Sequence, residues 1–244
     1  MNLIIDIGNT TTKLAVFQRD KTLITKVIPV ASLVLEVDNL LKEFTEITQG
    51  LISSVGFLSA DVLKTLENRL PLTILKSDSK LPYKVCYETS ETLGVDRLAL
   101  MAAAVTQHPG KNVLVIDAGS CITYDFINAQ QNYLGGAIAP GIQIRYKSLG
   151  DFTSKLPTLQ KKVPENFIGN STQACIHSGV INGVLYEIRG VVSTYQNKYP
   201  DLTIILTGGG AHYLVDSLKN DIFANSNFLL EGLNYILQNN KTQC

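Results

Sequence analysis

The chain carries no surplus of charge. Its 21 Lys and Arg are matched by 21 Asp and Glu, a formal charge of zero at pH 7, and nothing in that balance points to nucleic acid or an anionic membrane surface. It has no stretch approaching the ~18 uninterrupted apolar residues of a membrane-spanning helix. No basic leader precedes its first apolar run, which Asp6 interrupts early, so no signal peptide is expected. Cysteine is scarce and unpatterned. Cys86, Cys121, Cys175 and Cys244 show no CxxC spacing, which argues against structural zinc and for a reduced, cytoplasmic protein. The histidines His108, His177 and His212 form no metal motif and read as structural or solvated. There is no G-x-x-x-x-G-K-[ST] loop, because Gly110-Lys111 lacks the preceding Gly and the hydroxyl, and no G-x-S-x-G elbow. What is present is a core: 45% of 244 residues are hydrophobic and 17% charged, which excludes disorder and allows one large domain or two of about 120 residues.

The most informative stretch is Asn2 to Phe17. Leu3-Ile4-Ile5 reads as a buried strand, Asp6 ends it, Gly8-Asn9 turns the chain, and Leu14 to Phe17 returns as a second strand. The turn is rich in small donors. Gly8 permits close backbone approach to a ligand, consecutive N–H groups in a tight turn form an anion-binding concavity, and Thr10, Thr11, Thr12 and Lys13 add hydroxyls and a positive charge. Asp6 beside that concavity suits Mg2+ bound through water. A phosphate cradle with a metal carboxylate is one reading, and an ordinary hairpin with a capped turn is the other.

A second copy follows. Val113 to Asn128 again runs from an apolar strand into Asp, then Gly two residues later, then a small polar residue. Asp6-Ile7-Gly8-Asn9 matches Asp117-Ala118-Gly119-Ser120, and Thr12 matches Thr123. A repeat on this scale points to two homologous domains, with hairpins that would grip one nucleotide from both sides.

The remaining chain supplies helices and strands in alternation, which fits a mixed sheet covered by helices. A third strand is expected over Leu23 to Val30, and Val37, Leu40, Leu41, Phe44 and Ile47 fall on one helical face. Leu51-Ile52 is a short strand. Ser59 caps a helix from Asp61 to Leu70, and Leu72 to Leu75 is a further strand. Ser77 to Thr92 reads as loop, with Tyr83 and Tyr87 as surface aromatics or a lid. Gly94-Val95-Asp96-Arg97 then opens an Ala-rich helix. Asp96 in its first turn either complements the helix dipole or acts as a general base at a cleft. Arg97 has the fork geometry to take a ligand carboxylate. In the second half, Gly135 to Gly141 is a strand end entering a helix, with Pro140 at or near its first turn. Asp151 to Ile168 is a linker, and Ser171 to Tyr199 a long helix containing Gly179, Gly183 and Gly190. Interior glycines cost about 1 kcal/mol each against Ala, so they serve close packing, inside the subunit or at a dimer interface. Leu202 to Leu206 leads into Thr207-Gly208-Gly209-Gly210, a turn suited to a nucleotide. Phe228 to Leu230 and a helix from Glu231 to Leu237 end the chain.

These motifs carry a resemblance. The duplicated Asp-x-Gly hairpins and the late Thr-Gly-Gly resemble the superfamily of actin, sugar kinases and heat-shock ATPases. Within it, the chain is similar over nearly its full length to the type III pantothenate kinases. The matching motifs are Asp6 to Thr10, Gly94 to Arg97, Asp117 to Ser120, Gly135 to Gly141 and Thr207 to Gly209, with Tyr87 at the position of the family's substrate tyrosine. The resemblance implies an α/β fold of two duplicated actin-like (ribonuclease H-like) domains, 1–111 and 112–244, each a mixed five-stranded sheet flanked by helices. It implies phosphorylation of pantothenate by ATP in coenzyme A biosynthesis. Asp6, Ile7, Gly8, Asn9, Thr10, Thr11, Thr12 and Lys13 would hold ATP, with Mg2+ through water on Asp6, and Ser120 would touch ATP from the second hairpin. Asp117 would bind a monovalent cation, K+ or NH4+. Tyr87, Gly94, Val95, Asp96 and Arg97 would bind pantothenate, with Asp96 as the general base. Thr172 would reach pantothenate in the neighbouring subunit of a homodimer. The chain departs from the family pattern at Ser120, where Thr is usual and the hydroxyl is kept. It also departs at Ser90, where many relatives have Pro, and at Asn170, where many have a basic residue. Two other readings use the same fold. A different small-molecule kinase or nucleotide hydrolase is opposed by the Tyr87 to Arg97 segment. A non-catalytic nucleotide-binding regulator would be expected to have lost Asp6 or Asp96.

Overall fold

The computed structural model describes residues 1–8, 11–56, 58–218 and 222–241. Asn9, Thr10 and Cys244, named above, lie outside them. The chain splits into two compact units.

The first unit is built on the apolar run at the N-terminus. Its strands are β1 (Asn2–Ile7), β2 (Thr12–Gln18), β3 (Lys21–Ile28), β4 (Gln49–Ser54) and β5 (Leu72–Ile74), in the sheet order β3-β2-β1-β4-β5. β1 lies antiparallel to β2 and parallel to β4. Every residue of β1 is buried, as expected of a central strand covered on both faces. Leu3, Ile5 and Ile7 pack with Leu33, Val37 and Leu40 of α1 (Leu33–Glu43) and Leu66 of α2 (Ala60–Glu67). Ser59 caps α2 by accepting from the Val62 N–H. The alternation of side chains puts Asn2, Ile4 and Asp6 on the opposite face. There Asn2 donates to Asn234 of α6 (Phe228–Lys241), which packs along α3 (Val95–Gln107). α3 buries Ala99, Ala102, Ala103 and Ala104, and these small side chains let α6 approach so closely that a Cβ on Gly232 would overlap the Ala99 carbonyl. The face that carries Asp6 is thus the face of α3, whose first turn carries Asp96.

The second unit repeats the plan. β7 (Val113–Ala118) lies antiparallel to β8 (Cys121–Ile127) and parallel to β10 (Thr203–Thr207). The sheet order is β11-β10-β7-β8-β9-β6, with β9 (Asn132–Pro140), β11 (Phe223–Ala224) and β6 (Lys84–Val85). Leu114, Ile116 and Ala118 pack with Val180, Val184 and Ile188 of α5 (Thr172–Lys198), and with Ile142 and Tyr146 of α4 (Ile142–Asp151). β7 holds the place that β1 holds in the first unit.

Several expectations change. The second sheet has six strands rather than five. The extra strand is Lys84–Val85, within the stretch read as loop, and it pairs with Asn132 and Tyr133 at the start of β9. Pro140 ends β9, and Gly141 rather than Pro140 leads into α4. The last helix begins at Phe228, because Phe228, Leu229 and Leu230 are buried on its inner face instead of forming a separate segment. The units are also not the continuous stretches 1–111 and 112–244. Residues 131–133 and the C-terminal helix group with the first unit, the helix because its apolar face packs along α3.

Candidate active site

Asp6 is the last buried polar residue before the first hairpin turn, with 6% of its surface exposed. The antiparallel register sets Lys13 opposite it, and the parallel register sets Ser53 beside it on β4. Asp6 Oδ1 is buried without a hydrogen-bond partner, and the buried Ser53 hydroxyl beside the carboxyl forms no well-aligned bond, though it is near enough to lower the carboxyl a little. Buried orphans of this kind are rare and mark places where water or an ion belongs. Burial pushes the Asp6 carboxyl up to about 6, the charge of Lys13 works against that rise, and the charge of Asp96 adds to it. The turn closes through a bond from the Gly8 N–H to the Thr11 carbonyl, 3.0 Å. Thr11 is exposed, whereas Thr12 is buried and pairs with Ile7.

Asp96 lies near enough to Asp6 for its charge to be felt there. Its Oδ1 accepts from the Arg97 N–H at 2.8 Å in the first turn of α3. Val95 is the first residue of that helix and Gly94 its N-cap. Arg97 is 7% exposed, and its guanidinium lies 5.5 Å from the centre of the Tyr87 ring. The structure therefore brings Asp6, Lys13, Asp96, Arg97 and Tyr87 together in the first unit.

In the second unit, Asp117 stands at the matching strand end. Thr207 lies beside it on β10 and Thr123 opposite it on β8. Thr123 Oγ1 is another buried polar atom without a partner. The Thr207-Gly208-Gly209-Gly210 turn folds over the strand end. Gly208 has φ +90°, and a Cβ there would overlap Asp117 Oδ1, so the position needs glycine twice over. Ser120 is exposed in the turn, and its carbonyl accepts from the Gly141 N–H at 3.2 Å. The two hairpins are not identical. Thr12 pairs with Ile7, whereas Thr123 pairs with Asp117 itself. The first turn is one residue longer, so in register Thr123 corresponds to Lys13, and the match of Thr12 to Thr123 is corrected. A one-residue slip reverses the face of a strand residue, which is why the two strand ends differ in charge.

Residues 2–194 match the family model of the type III pantothenate kinases. The chain belongs to that family. It is 50% identical over 243 residues to the type III pantothenate kinase of Christiangramia forsetii, with 100% of each chain covered. It is 43% identical over 241 residues to that of Flavobacterium psychrophilum, covering 99% of this chain and 100% of the relative. Among solved structures it is similar to a conserved putative Baf family transcriptional activator from Campylobacter jejuni, with TM-score 0.64, 22% identity, and 98% and 99% of the two chains covered. It is also similar to an inorganic polyphosphate/ATP-glucomannokinase from an Arthrobacter species, with TM-score 0.51, 16% identity and full coverage of both. At those identities the two structures speak to the fold. Family membership makes the chain a kinase.

Type III pantothenate kinase motifs account for most of the cluster, but sequence reasoning missed three of its features. Ser53 and Gly56 are the first two. The Gly56 N–H donates to the Ile7 carbonyl at 3.2 Å, as the Gly210 N–H donates to Ala118 at 2.7 Å. Ser53 to Gly56 is therefore the first unit's counterpart of Thr207 to Gly210, and the signal that would have found it is a hydroxyl followed three residues later by Gly. The third is Tyr133, taken up below, for which no local signal exists. Thr172, the remaining residue implied by the family, opens α5. It lines a cavity of about 660 Å³ in the second unit with Arg145, Leu149 and Cys175. Arg145 there pairs with Glu187 at 2.6 Å. Among the described residues, a Cβ on Gly179, Gly183 or Gly190 would meet nothing within 4 Å beyond the backbone of its own helix.

Proposed function

We propose that the chain transfers the γ-phosphoryl group of ATP to the hydroxyl of pantothenate, giving 4'-phosphopantothenate in the first step of coenzyme A biosynthesis. The observation that carries this reading is the pair Asp6 and Asp96. One sits at a strand end beside Lys13, the other at a helix start beside Arg97 and Tyr87, and they lie close enough for the charge of Asp96 to raise the Asp6 carboxyl.

Asp96 takes the proton of the pantothenate hydroxyl as its oxygen bonds to the γ-phosphorus, while the bond to the β–γ bridging oxygen breaks and ADP leaves. Phosphoryl transfer asks the protein mainly for position and charge. Ile7, Gly8, Asn9, Thr10, Thr11, Thr12 and Lys13 hold the ATP phosphates, and Ser120 of the second hairpin touches ATP. The orphaned, buried Asp6 Oδ1 suits a water-mediated contact to Mg2+, which usually keeps several waters and takes one or two carboxylates plus phosphates. Bound there, Mg2+ neutralises charge on the phosphates. Asp117, a hard oxygen donor enclosed by a glycine turn, holds the monovalent cation, K+ or NH4+. Tyr87, Gly94, Val95 and Arg97 orient pantothenate, with the guanidinium facing its carboxylate or fixing Asp96. Thr172 serves the site of a partner subunit, a use consistent with the open glycine face of α5. The enzyme works in the cytoplasm. No helix among the described residues is long and apolar enough to cross a membrane.

The test is a phosphoryl-transfer assay with purified protein, Mg-ATP and pantothenate, with Na+, K+ or NH4+ as the varied salt. Phosphopantothenate should form and depend on K+ or NH4+. ATP turnover without phosphopantothenate would overturn the substrate assignment, and equal rates in all three salts would remove the cation from Asp117.

A further inference from the structure

We infer that Tyr133 is a positioning residue for substrate recognition, holding Tyr87 and Arg97 in place from behind the site. The inference rests on the assignment of those two side chains to pantothenate.

Tyr133 is fully buried, so it does not itself touch substrate. Three side chains converge on it. The half-buried Tyr87 stacks on its ring with centroids 6.2 Å apart and planes 7° apart. Tyr83 meets it edge-on, 6.3 Å away at 88°. The Arg97 guanidinium lies 6.0 Å from its centre and 5.5 Å from the centre of the Tyr87 ring. Both geometries are the ones that ring quadrupoles favour, for aromatic pairs and for a cation over a face.

The backbone of Tyr133 closes the arrangement. The Cys86 N–H donates to the Tyr133 carbonyl and the Lys84 N–H to the Gln131 carbonyl, each at 2.9 Å. These bonds pin the short β6 strand between Tyr83 and Tyr87. The Tyr83 hydroxyl in turn donates to the Leu98 carbonyl of α3 at 2.8 Å. A loop of contacts therefore runs from α3 through Tyr83, Tyr133 and Tyr87 back to Arg97 on α3, with Tyr133 at its centre. Apart from β6, the segment from 77 to 94 that bears Tyr87 has only one short helical turn, Ser90–Thr92, held by bonds from the Thr92 N–H to the Thr89 carbonyl and from the Leu93 N–H to the Ser90 carbonyl. This explains why residues 131–133 group with the first unit although β9 continues into the second.

A role confined to positioning Tyr87 and Arg97 affects one substrate only. Uniform loss of pantothenate binding raises its KM and leaves kcat in place. In the full-length protein, Tyr133→Leu should raise the KM for pantothenate by about tenfold or more, with kcat and the KM for ATP within about twofold of wild type. Tyr133→Phe, which keeps the ring, should restore the wild-type KM. If Tyr133→Leu does not fold, Tyr133→Met fills the volume without a ring face and reads the same quantity. A folded Leu or Met variant with wild-type pantothenate KM, or with equal losses for both substrates, would overturn the inference and return Tyr133 to the core. Failure of the underlying assignment looks different: the wild-type protein itself would form no phosphopantothenate.

Discussion

A carboxylate at the end of a fully buried strand is an unfavourable place for a charge, and Asp6 occupies it. Its neighbours only partly compensate. Lys13 supplies opposite charge, Asp96 adds like charge, and Oδ1 has no hydrogen-bond partner. The folded protein therefore holds the Asp6 proton more tightly than the unfolded chain, at about 6 against 3.8. The stabilising contribution is present below the unfolded value and is lost as pH rises through about 6. The loss is on the order of 3 kcal/mol by pH 7 when no ligand is bound. Asp6→Asn removes this dependence. Urea unfolding without Mg2+ or nucleotide should show the variant gaining on the wild type between pH 4.5 and pH 7, and parallel curves would contradict the account. Asp6 and Asp96 are legible in the sequence because each carries a local mark, the end of an apolar run and the first turn of a helix. Ser53 and Tyr133 are not, because their neighbours are set by parallel register and by a strand that begins on one unit and continues on the other.

The apolar runs around both hairpins and the long stretch from Ser171 give their elements directly, since burial on both faces and helical spacing leave their own patterns. Boundaries set by distant packing do not. The return strands differ by one residue in register, the final helix starts earlier than its sequence suggests, and β6 exists only through its pairing with β9. α5 carries the clearest unpartnered face. Gly179, Gly183, Tyr186 and Gly190 fall at i, i+4, i+7 and i+11, one stripe of a helix. Tyr186 is 59% exposed, and the glycines have open space before them. Glycine weakens a helix that does not use it for close approach, and in the dimer proposed above the stripe would receive a second copy of α5. Gly183→Arg improves helix propensity by up to about 1 kcal/mol and blocks that approach. Light scattering should show a dimeric wild type and a folded monomeric variant. A monomeric wild type, or a variant that stays dimeric, would contradict the dimer.

At the scale of the whole molecule, the chain is one plan used twice. Both units place a mixed sheet's central strand between an antiparallel hairpin partner and a parallel neighbour, and both carry Asp as that strand's penultimate residue with Gly two residues later. The duplication is legible because the strand-end motif survives in both copies. The expected site residues are divided unevenly between the two copies, as the sequence already has them. Asp6, Lys13, Asp96, Arg97 and Tyr87 all belong to the first unit, while the second brings Asp117, Ser120 and Thr172. In this account the first unit does the chemistry, and Asp96 is the group on which the proton transfer turns. The most direct test is Asp96→Asn, followed by steady-state kinetics with pantothenate and by calorimetric titration with ATP. The account predicts a folded protein with ATP affinity close to wild type and a kcat lower by about two to four orders of magnitude. A folded Asp96→Asn protein with near-wild-type kcat would contradict it and leave Asp96 as a carboxylate that merely complements the start of a helix.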